Sequence, residues 1–143
     1  MYYHQVMSRD SLVHALRAVL TTHPLRLAVL FGSAARDAMR ADSDVDVGIL
    51  ARDPEMSLAD ELALQAALER ATSRTVDLVR LEEASILLRW RIAREGVAIL
   101  ADPPYEWTRF VARAGIDHAD FAPLYARTAE AFRRKVAAGE GGT

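Results

Sequence analysis

Two acidic residues spaced one residue apart point to metal-assisted phosphate chemistry. Asp44 and Asp46 begin residues 44–50, where alternating acidic and apolar residues predict a strand. Residues i and i+2 of a strand lie on the same side, about 6.6 Å apart along the chain. Two carboxylates so close repel each other unless a cation neutralises them. Oxygen ligands without His or Cys favour Mg²⁺ or Mn²⁺, which also bind phosphate oxygens.

Residues of two further predicted strands would complete such a site. Asp77 lies in residues 75–81, a predicted strand, and is the natural third carboxylate because neighbouring strands lie only about 4.8 Å apart. Gly32 and Ser33 follow the apolar strand 25–31 and are expected to open a short helix or turn, where backbone N–H groups bind phosphate oxygens. Three acids around one or two ions would hold a triphosphate and lower the pKa of an attacking hydroxyl.

The same residues have interpretations that involve no ligand. Acids at the start of a strand often form a solvated edge that prevents aggregation. Asp77 could instead pair with Arg74 or Arg80. Ser43, directly before the acids, is expected to bond to the preceding turn and to be structural. The occurrence of the acids together with the Gly-Ser pair favours the metal site over these alternatives.

Composition excludes several classes of protein. The 143 residues, 51% hydrophobic and 27% charged, predict one globular domain. No apolar run approaches the roughly 20 residues of a membrane helix, and residues 1–10 lack the apolar segment of a secretory signal. The absence of cysteine excludes disulfides and thiolate metal sites and suits a cytoplasmic location. A formal charge of −2 gives no basic field that would attract nucleic acid.

Basic residues are almost all arginine. Of 18 basic residues only Lys135 is a lysine, so a lysine-dependent phosphate loop is excluded and any side chain holding phosphate mid-chain must be arginine. The four histidines are scattered and show no spacing of a metal-binding pair. Phosphate binding therefore falls to metal ions, backbone N–H groups and arginine.

Helices and strands alternate along the chain. Apolar spacing and capping residues predict helices over residues 8–23, 57–73 and 83–95, followed after Pro103-Pro104 by two more over about 105–114 and 122–138. Strands are predicted over residues 25–31, 44–50, 75–81 and 97–100. The order predicts an α/β or α+β fold, with helices packed against one sheet. Aromatic residues from Trp90 to Phe132 are expected to pack in the core, and segment 107–132 is the first candidate for a partner surface.

The stretch FGSAARDAMRADSDVDVGIL, residues 31–50, resembles a known family. Gly-Ser, ten intervening residues and Asp-x-Asp form the signature of DNA polymerase β-like nucleotidyltransferases, and the small size is similar to that of a minimal nucleotidyltransferase (MNT) domain. The resemblance covers about residues 25–100 and implies the nucleotidyltransferase fold, a small mixed β-sheet flanked by α-helices. The residues that it implies for catalysis and metal binding are Asp44, Asp46 and Asp77. The residues that it implies for nucleotide binding are Gly32, Ser33 and Arg36.

Two positions depart from the family pattern. Asp37 stands where many relatives carry Gly, and Ala41-Asp42 replaces a common Pro-Asp. Neither change removes a ligand. Arg36 also has an alternative role, as the partner of Asp37 or Asp42 in a surface ion pair.

The resemblance further implies a reaction and a partner. Small MNT domains are commonly antitoxins whose toxin is a HEPN-domain ribonuclease, and members transfer AMP from ATP to a tyrosine of that toxin. The expected reaction is attack of a hydroxyl on the α-phosphate, assisted by two Mg²⁺ ions or by Mn²⁺. A hetero-oligomer with the HEPN toxin is expected, without membrane or nucleic-acid binding.

Two alternative functions remain open. Relatives that modify a small molecule such as an aminoglycoside carry an extra helical domain, whereas 43 residues follow Leu100 here. A non-catalytic antitoxin that acts by binding alone is disfavoured by the presence of all three acids. The expected organisation is a single domain over residues 1–143, with a core of about 25–100, C-terminal helices over 104–138 and a disordered tail over 139–143.

Overall fold

A four-stranded sheet carries helices on both faces. The structure is a computed structural model that describes residues 7–40 and 42–139. The helices are α1 (Arg9–Leu20), α2 (Leu58–Thr72), α3 (Ile86–Glu95) and α4 (Tyr105–Ala137), with a 3₁₀ turn over Leu81–Glu83. The strands are β1 (Leu25–Phe31), β2 (Val45–Ala51), β3 (Val76–Arg80) and β4 (Val97–Ala101). The expected fold, a small mixed sheet flanked by helices, is confirmed.

The strand order brings four strand ends together. The sheet runs β3-β2-β1-β4, with β1 antiparallel to both β2 and β4, and β2 parallel to β3. The carboxyl end of β1 therefore lies beside the amino ends of β2, β3 and β4. We call this the upper end of the sheet.

Each face of the sheet packs on one pair of helices. The face toward α1 and α2 buries a cluster that includes Leu12, Leu16, Leu20, Val45, Val47, Ile49, Leu64 and Leu68. The opposite face buries, together with α3 and α4, Leu27, Val29, Phe31, Leu81, Ile92 and Phe110. Because side chains alternate between faces, the neighbours of Val45 and Val47 in β2 point toward the α3 and α4 side.

Serine caps determine where three helices begin. The hydroxyls of Ser8, Ser57 and Ser85 each accept a hydrogen bond from the backbone N–H three residues later. Such caps satisfy N–H groups that have no partner within the helix. Since Ser85 caps α3, this helix begins at Ile86, three residues after the predicted start at residue 83.

The predicted pair of C-terminal helices is wrong, because α4 is one helix of 33 residues. Pro123 lies inside it and cannot donate to the carbonyl of Ala119, but Ala119 is exposed to solvent, which can replace the missing bond. Phe132, expected in the core, is 68% exposed. The distal half of α4 thus extends beyond the packed body of the protein.

Several expectations concern residues outside the described ranges. They concern residues 1–6 of the segment predicted to lack a secretory signal, Ala41 in the departure from the family pattern, and residues 140–143 of the predicted tail. Within the ranges that the structure describes, no helix is long and apolar enough to cross a membrane.

Candidate active site

The three predicted acids lie at the upper end of the sheet. Asp46 is the second residue of β2 and Asp77 the second of β3, and the parallel pairing places these two residues side by side. Asp44 directly precedes β2. Asp46 is half-buried, whereas Asp44 and Asp77 are exposed. One sheltered carboxylate therefore lies next to two that face solvent.

Asp46 is the acid whose ionised form this cluster disfavours. Burial of its carboxyl raises the pKa of Asp46, and the negative charges of Asp77 and Asp44 and a hydrogen bond with the Asp77 side chain raise it further. A carboxylate in this setting is stabilised by any cation placed among the three acids. The electrostatics thus favour binding of a cation.

The donor chemistry of the three acids fits Mg²⁺. Among the described residues, no three His, Cys, Asp or Glu side chains are arranged as a ready-made cation site. Mg²⁺ does not require such a cage, since it binds a few carboxylates and completes its shell with water and substrate phosphates. Asp44, Asp46 and Asp77 are the residues that could hold it.

Gly32 brings the backbone into direct contact with Asp46. Its φ is +73°, and a Cβ at this position would lie 2.2 Å from Oδ2 of Asp46. Phe31, directly before it, pairs with Asp46 across β1 and β2. Only glycine meets both the backbone conformation and the space available. The predicted Gly-Ser pair and the predicted acids are therefore parts of one site.

The segment after Gly32 forms consecutive turns over residues 32–37, not a helix. The N–H of Ala38 donates to the carbonyl of Ser33 at 2.8 Å, closing a wider loop than a helical turn. Of the two predicted forms, helix or turn, the turn is correct. A helix dipole therefore does not contribute to phosphate binding at Gly32 and Ser33, which leaves the backbone and side-chain groups of the turn.

Contacts with the body of the protein anchor this turn. Ala34 and Ala35 are buried in the core beneath α1 and α2. The guanidinium of Arg9 in α1 donates to the carbonyl of Ala35 at 3.0 Å. The Gly-Ser segment is thus attached to a rigid support, as a binding loop requires.

Arg36 forms its ion pair with a residue that the sequence did not indicate. Its guanidinium lies 3.3 Å from Oε2 of Glu95, the last residue of α3. Both side chains are about half exposed. The pair holds Arg36 at the upper end of the sheet, and contact between Arg36 and a nucleotide stays a prediction.

Arg74 holds the loop that leads into the acids. Its guanidinium donates to the carbonyls of Arg40 at 2.9 Å and Ser43 at 3.2 Å. The Ser43 hydroxyl accepts a hydrogen bond from the N–H of Arg40 at 2.9 Å, which confirms the expected bond to the preceding turn. Nothing in the sequence signals the Arg74 contact, because 34 residues separate Arg74 from Arg40.

Replacing Arg74 with Met is expected to reduce nucleotidyl transfer about tenfold, because small misplacements of catalytic groups cost up to roughly 100-fold in rate. The loop before Asp44 would lose the hydrogen bonds that the carbonyls of Arg40 and Ser43 accept, while the acids themselves remain. The matched control is Arg70→Met, at an exposed position on α2. Steady-state kinetics of the two variants would show the effect. A rate equal to that of the control would contradict the assigned role of Arg74.

A comparison with protein families decides the identity of this fold. The model of the family described as polymerase beta, nucleotidyltransferase matches residues 15–104. The chain belongs to this family. It is a nucleotidyltransferase, and the matched range contains the acids, the Gly32 turn and α3 with Glu95. The resemblance seen in the sequence is confirmed.

Other members and neighbours agree with this assignment. A protein of Methanocaldococcus jannaschii, provisionally named a protein adenylyltransferase, is 29% identical over 94 residues. The aligned region covers 66% of this nucleotidyltransferase and 100% of that protein. A crystal structure of a toxin–antitoxin with AMP-PNP superposes with a TM-score of 0.70 at 23% identity, covering 84% of this chain and 98% of that one. The structure of a tri-AMPylated HEPN toxin from Shewanella oneidensis in complex with its MNT antitoxin superposes with a TM-score of 0.55 at 22% identity. The match covers 85% of this chain and 95% of that one. At these identities the two structures show the shared fold.

Proposed function

We propose that this nucleotidyltransferase transfers AMP from ATP to a tyrosine hydroxyl of a cognate HEPN-domain ribonuclease, and so acts as its antitoxin. The observation that carries the proposal is the pairing of Asp46 with Asp77 directly beneath Gly32. The provisional adenylyltransferase name of the relative and the HEPN complexes among the structural neighbours support the choice of reaction and partner.

The residues at the upper end of the sheet have different roles in this reaction. Asp44, Asp46 and Asp77 hold Mg²⁺, which when bound neutralises the triphosphate and lowers the pKa of the hydroxyl. The turn at Gly32 and Ser33 binds phosphate oxygens through its backbone, and Arg36 adds a cation.

The tyrosine hydroxyl attacks the α-phosphorus in line with the bond to the leaving group. The new bond joins the tyrosine oxygen to the α-phosphorus, the bond to the β-phosphate oxygen breaks, and pyrophosphate leaves with the electron pair. We assign the hydroxyl proton to Asp77, whose exposed carboxylate a large acceptor can reach. No covalent intermediate with the enzyme is required.

The proposal is tested by incubating the chain, Mg²⁺ and the HEPN protein with ATP labelled at either the α- or the γ-phosphate. Label from the α-phosphate should appear on the HEPN protein, and label from the γ-phosphate should not. Removing the metal with EDTA should abolish labelling, and Mn²⁺ should restore it.

Variants of the acids make the same assay specific for the site. Asp77→Asn is expected to lower labelling by about 10²-fold or more, since it loses both a metal ligand and a proton acceptor. Asp42→Asn, an exposed acid close to the site, is the matched control and should label normally. Transfer of the γ-label, or no transfer at all, would refute the proposed reaction.

A further inference from the structure

A cleft with a cationic rim lies between α3 and α4, next to the candidate site. It has a volume of about 490 Å³ and is lined by Leu87, Trp90, Arg91, Arg94, Glu95 and His118. His118 stacks on Trp90 with ring centroids 4.6 Å apart, and the Arg94 guanidinium lies 5.8 Å from the centroid of the same ring. These contacts give the cleft a firm aromatic wall. We call it the Trp90 cleft.

The Trp90 cleft shares a face of the sheet and a residue with the candidate site. Asp46 pairs with Phe31, and Phe31 packs with Ile92 of α3, so the acid and α3 lie on the same side of the sheet. Glu95 lines the cleft and also binds Arg36 of the Gly32 turn at 3.3 Å. Trp90 precedes Glu95 by five residues, about 7.5 Å along the helix axis.

The charge of the cleft favours an acidic ligand. Arg91 and Arg94 are exposed on its rim, whereas the acid in the lining, Glu95, is already paired with Arg36. The Trp90 ring packs against His118 and lies beneath Arg94, so it serves as a wall and not as a free platform for a nucleotide base. Guanidinium groups in this setting bind carboxylates well.

We propose that the Trp90 cleft binds an acidic stretch of the acceptor polypeptide and so selects the acceptor. This inference rests on the proposed function, because it requires a protein acceptor. An extended peptide advances about 3.3 Å per residue, so carboxylates within roughly five residues of the modified tyrosine reach Arg91 and Arg94 while the hydroxyl lies at the acids. The rim arginines thus determine which tyrosine enters the site.

Direct binding tests the cleft without catalysis. The probe is a dye-labelled random copolymer of glutamate and tyrosine, titrated with the full chain and followed by fluorescence anisotropy. Arg91→Glu/Arg94→Glu should weaken its binding about tenfold or more, as should raised salt. Arg70→Glu/Arg133→Glu makes the same charge change at exposed positions outside the cleft and outside segment 107–132, and should bind normally.

Three outcomes of this titration would overturn the inference: no binding of the copolymer, equal loss in both double variants, or equal binding of a lysine and tyrosine copolymer. Thermal melts establish that both double variants fold. Arg91→Gln/Arg94→Gln, which removes charge without reversing it, replaces the first variant if it does not fold.

Kinetics with the HEPN protein separate acceptor binding from nucleotide binding. The Arg91→Glu/Arg94→Glu variant should raise KM for the HEPN protein about tenfold with KM for ATP within about twofold. An equal rise in both constants would show that the cleft is not specific for the acceptor and would overturn the inference. Copolymer binding at the cleft without any labelling of the HEPN protein would refute the proposed function, and with it acceptor selection, but would leave the binding of acidic peptides at the cleft in place. Labelling that the cleft variant leaves unchanged would refute this inference alone.

Discussion

Replacing Asp46 with Asn is expected to lower kcat for AMP transfer by about 10³-fold and, at the same time, to raise the melting temperature of the metal-free protein. The loss of activity follows from the position of Asp46 between Asp77 and the Gly32 turn, where it is the most sheltered of the three acids proposed to bind the metal. An amide supplies one weak oxygen donor in place of a carboxylate. Initial rates with saturating ATP and Mg²⁺ measure this effect.

The gain in stability follows from the pKa of Asp46. Burial, then the charges of Asp77 and Asp44, raise this pKa above its ordinary value of 3.8, so the ionised side chain lowers the free energy of unfolding at neutral pH. This cost disappears as the pH falls below the unfolded pKa, because the carboxyl is then protonated in both states. Asn, which is neutral, should raise Tm by about 1–3 °C at pH 7 and leave it equal to wild type in acid.

Thermal melts over a range of pH, without metal and with Asp42→Asn as the matched control, measure this gain. The control removes a charge from an exposed position near the site and should leave the activity unchanged. A lower Tm for Asp46→Asn at pH 7, or wild-type activity, would contradict the site described here. Opposite changes in activity and stability are typical of a group held in place for function.

Replacing Gly32 with Ala should affect the reaction more than the fold. The new Cβ would lie 2.2 Å from Oδ2 of Asp46, so the end of this side chain must move. Moving it displaces the carboxylate that we propose to be catalytic, and we expect transfer to fall about 10²-fold. Because φ is positive at this position, Ala should also lower the free energy of unfolding by about 1 kcal/mol.

Gly139→Ala provides the matched control for this variant. Gly139 has a φ of +72° but no atom within 4 Å of the position of a Cβ. The difference between the two variants therefore isolates the contact with Asp46 from the backbone effect. Kinetics and melts of both proteins would reveal it, and wild-type activity of Gly32→Ala would show that the turn does not position Asp46.

The positions of the acids were predictable because strands impose simple rules. Alternation fixes the face of each strand residue, and Asp46 and Asp77 each lie one residue into a strand, so parallel pairing in register puts them side by side. The Gly-Ser pair was predictable for a related reason, since it directly follows an apolar strand. The position of the candidate site therefore depends on local patterns that a sequence displays.

Features that depend on distant contacts were not predictable. The carbonyls of residues 40 and 43 accept hydrogen bonds from Arg74, which lies more than 30 residues later in the sequence. Glu95 pairs with Arg36, 59 residues before it. Tertiary packing alone brings these groups together. The two predicted C-terminal helices form the single helix α4, in which Pro123 lies without ending the helix because the carbonyl of Ala119 that it leaves unbonded is exposed to solvent.

Peptide mass mapping of the HEPN protein, recovered after reaction with the chain, ATP and Mg²⁺, tests most directly whether AMP is transferred to tyrosine. With the wild-type chain, we expect a tyrosine peptide that carries AMP and a ribonuclease activity that falls in step with the modification. With Asp46→Asn, the peptide should be unmodified and the ribonuclease active. Equal inhibition of the ribonuclease by both chains, without modified tyrosine, would contradict catalysis and show that the chain acts by binding alone.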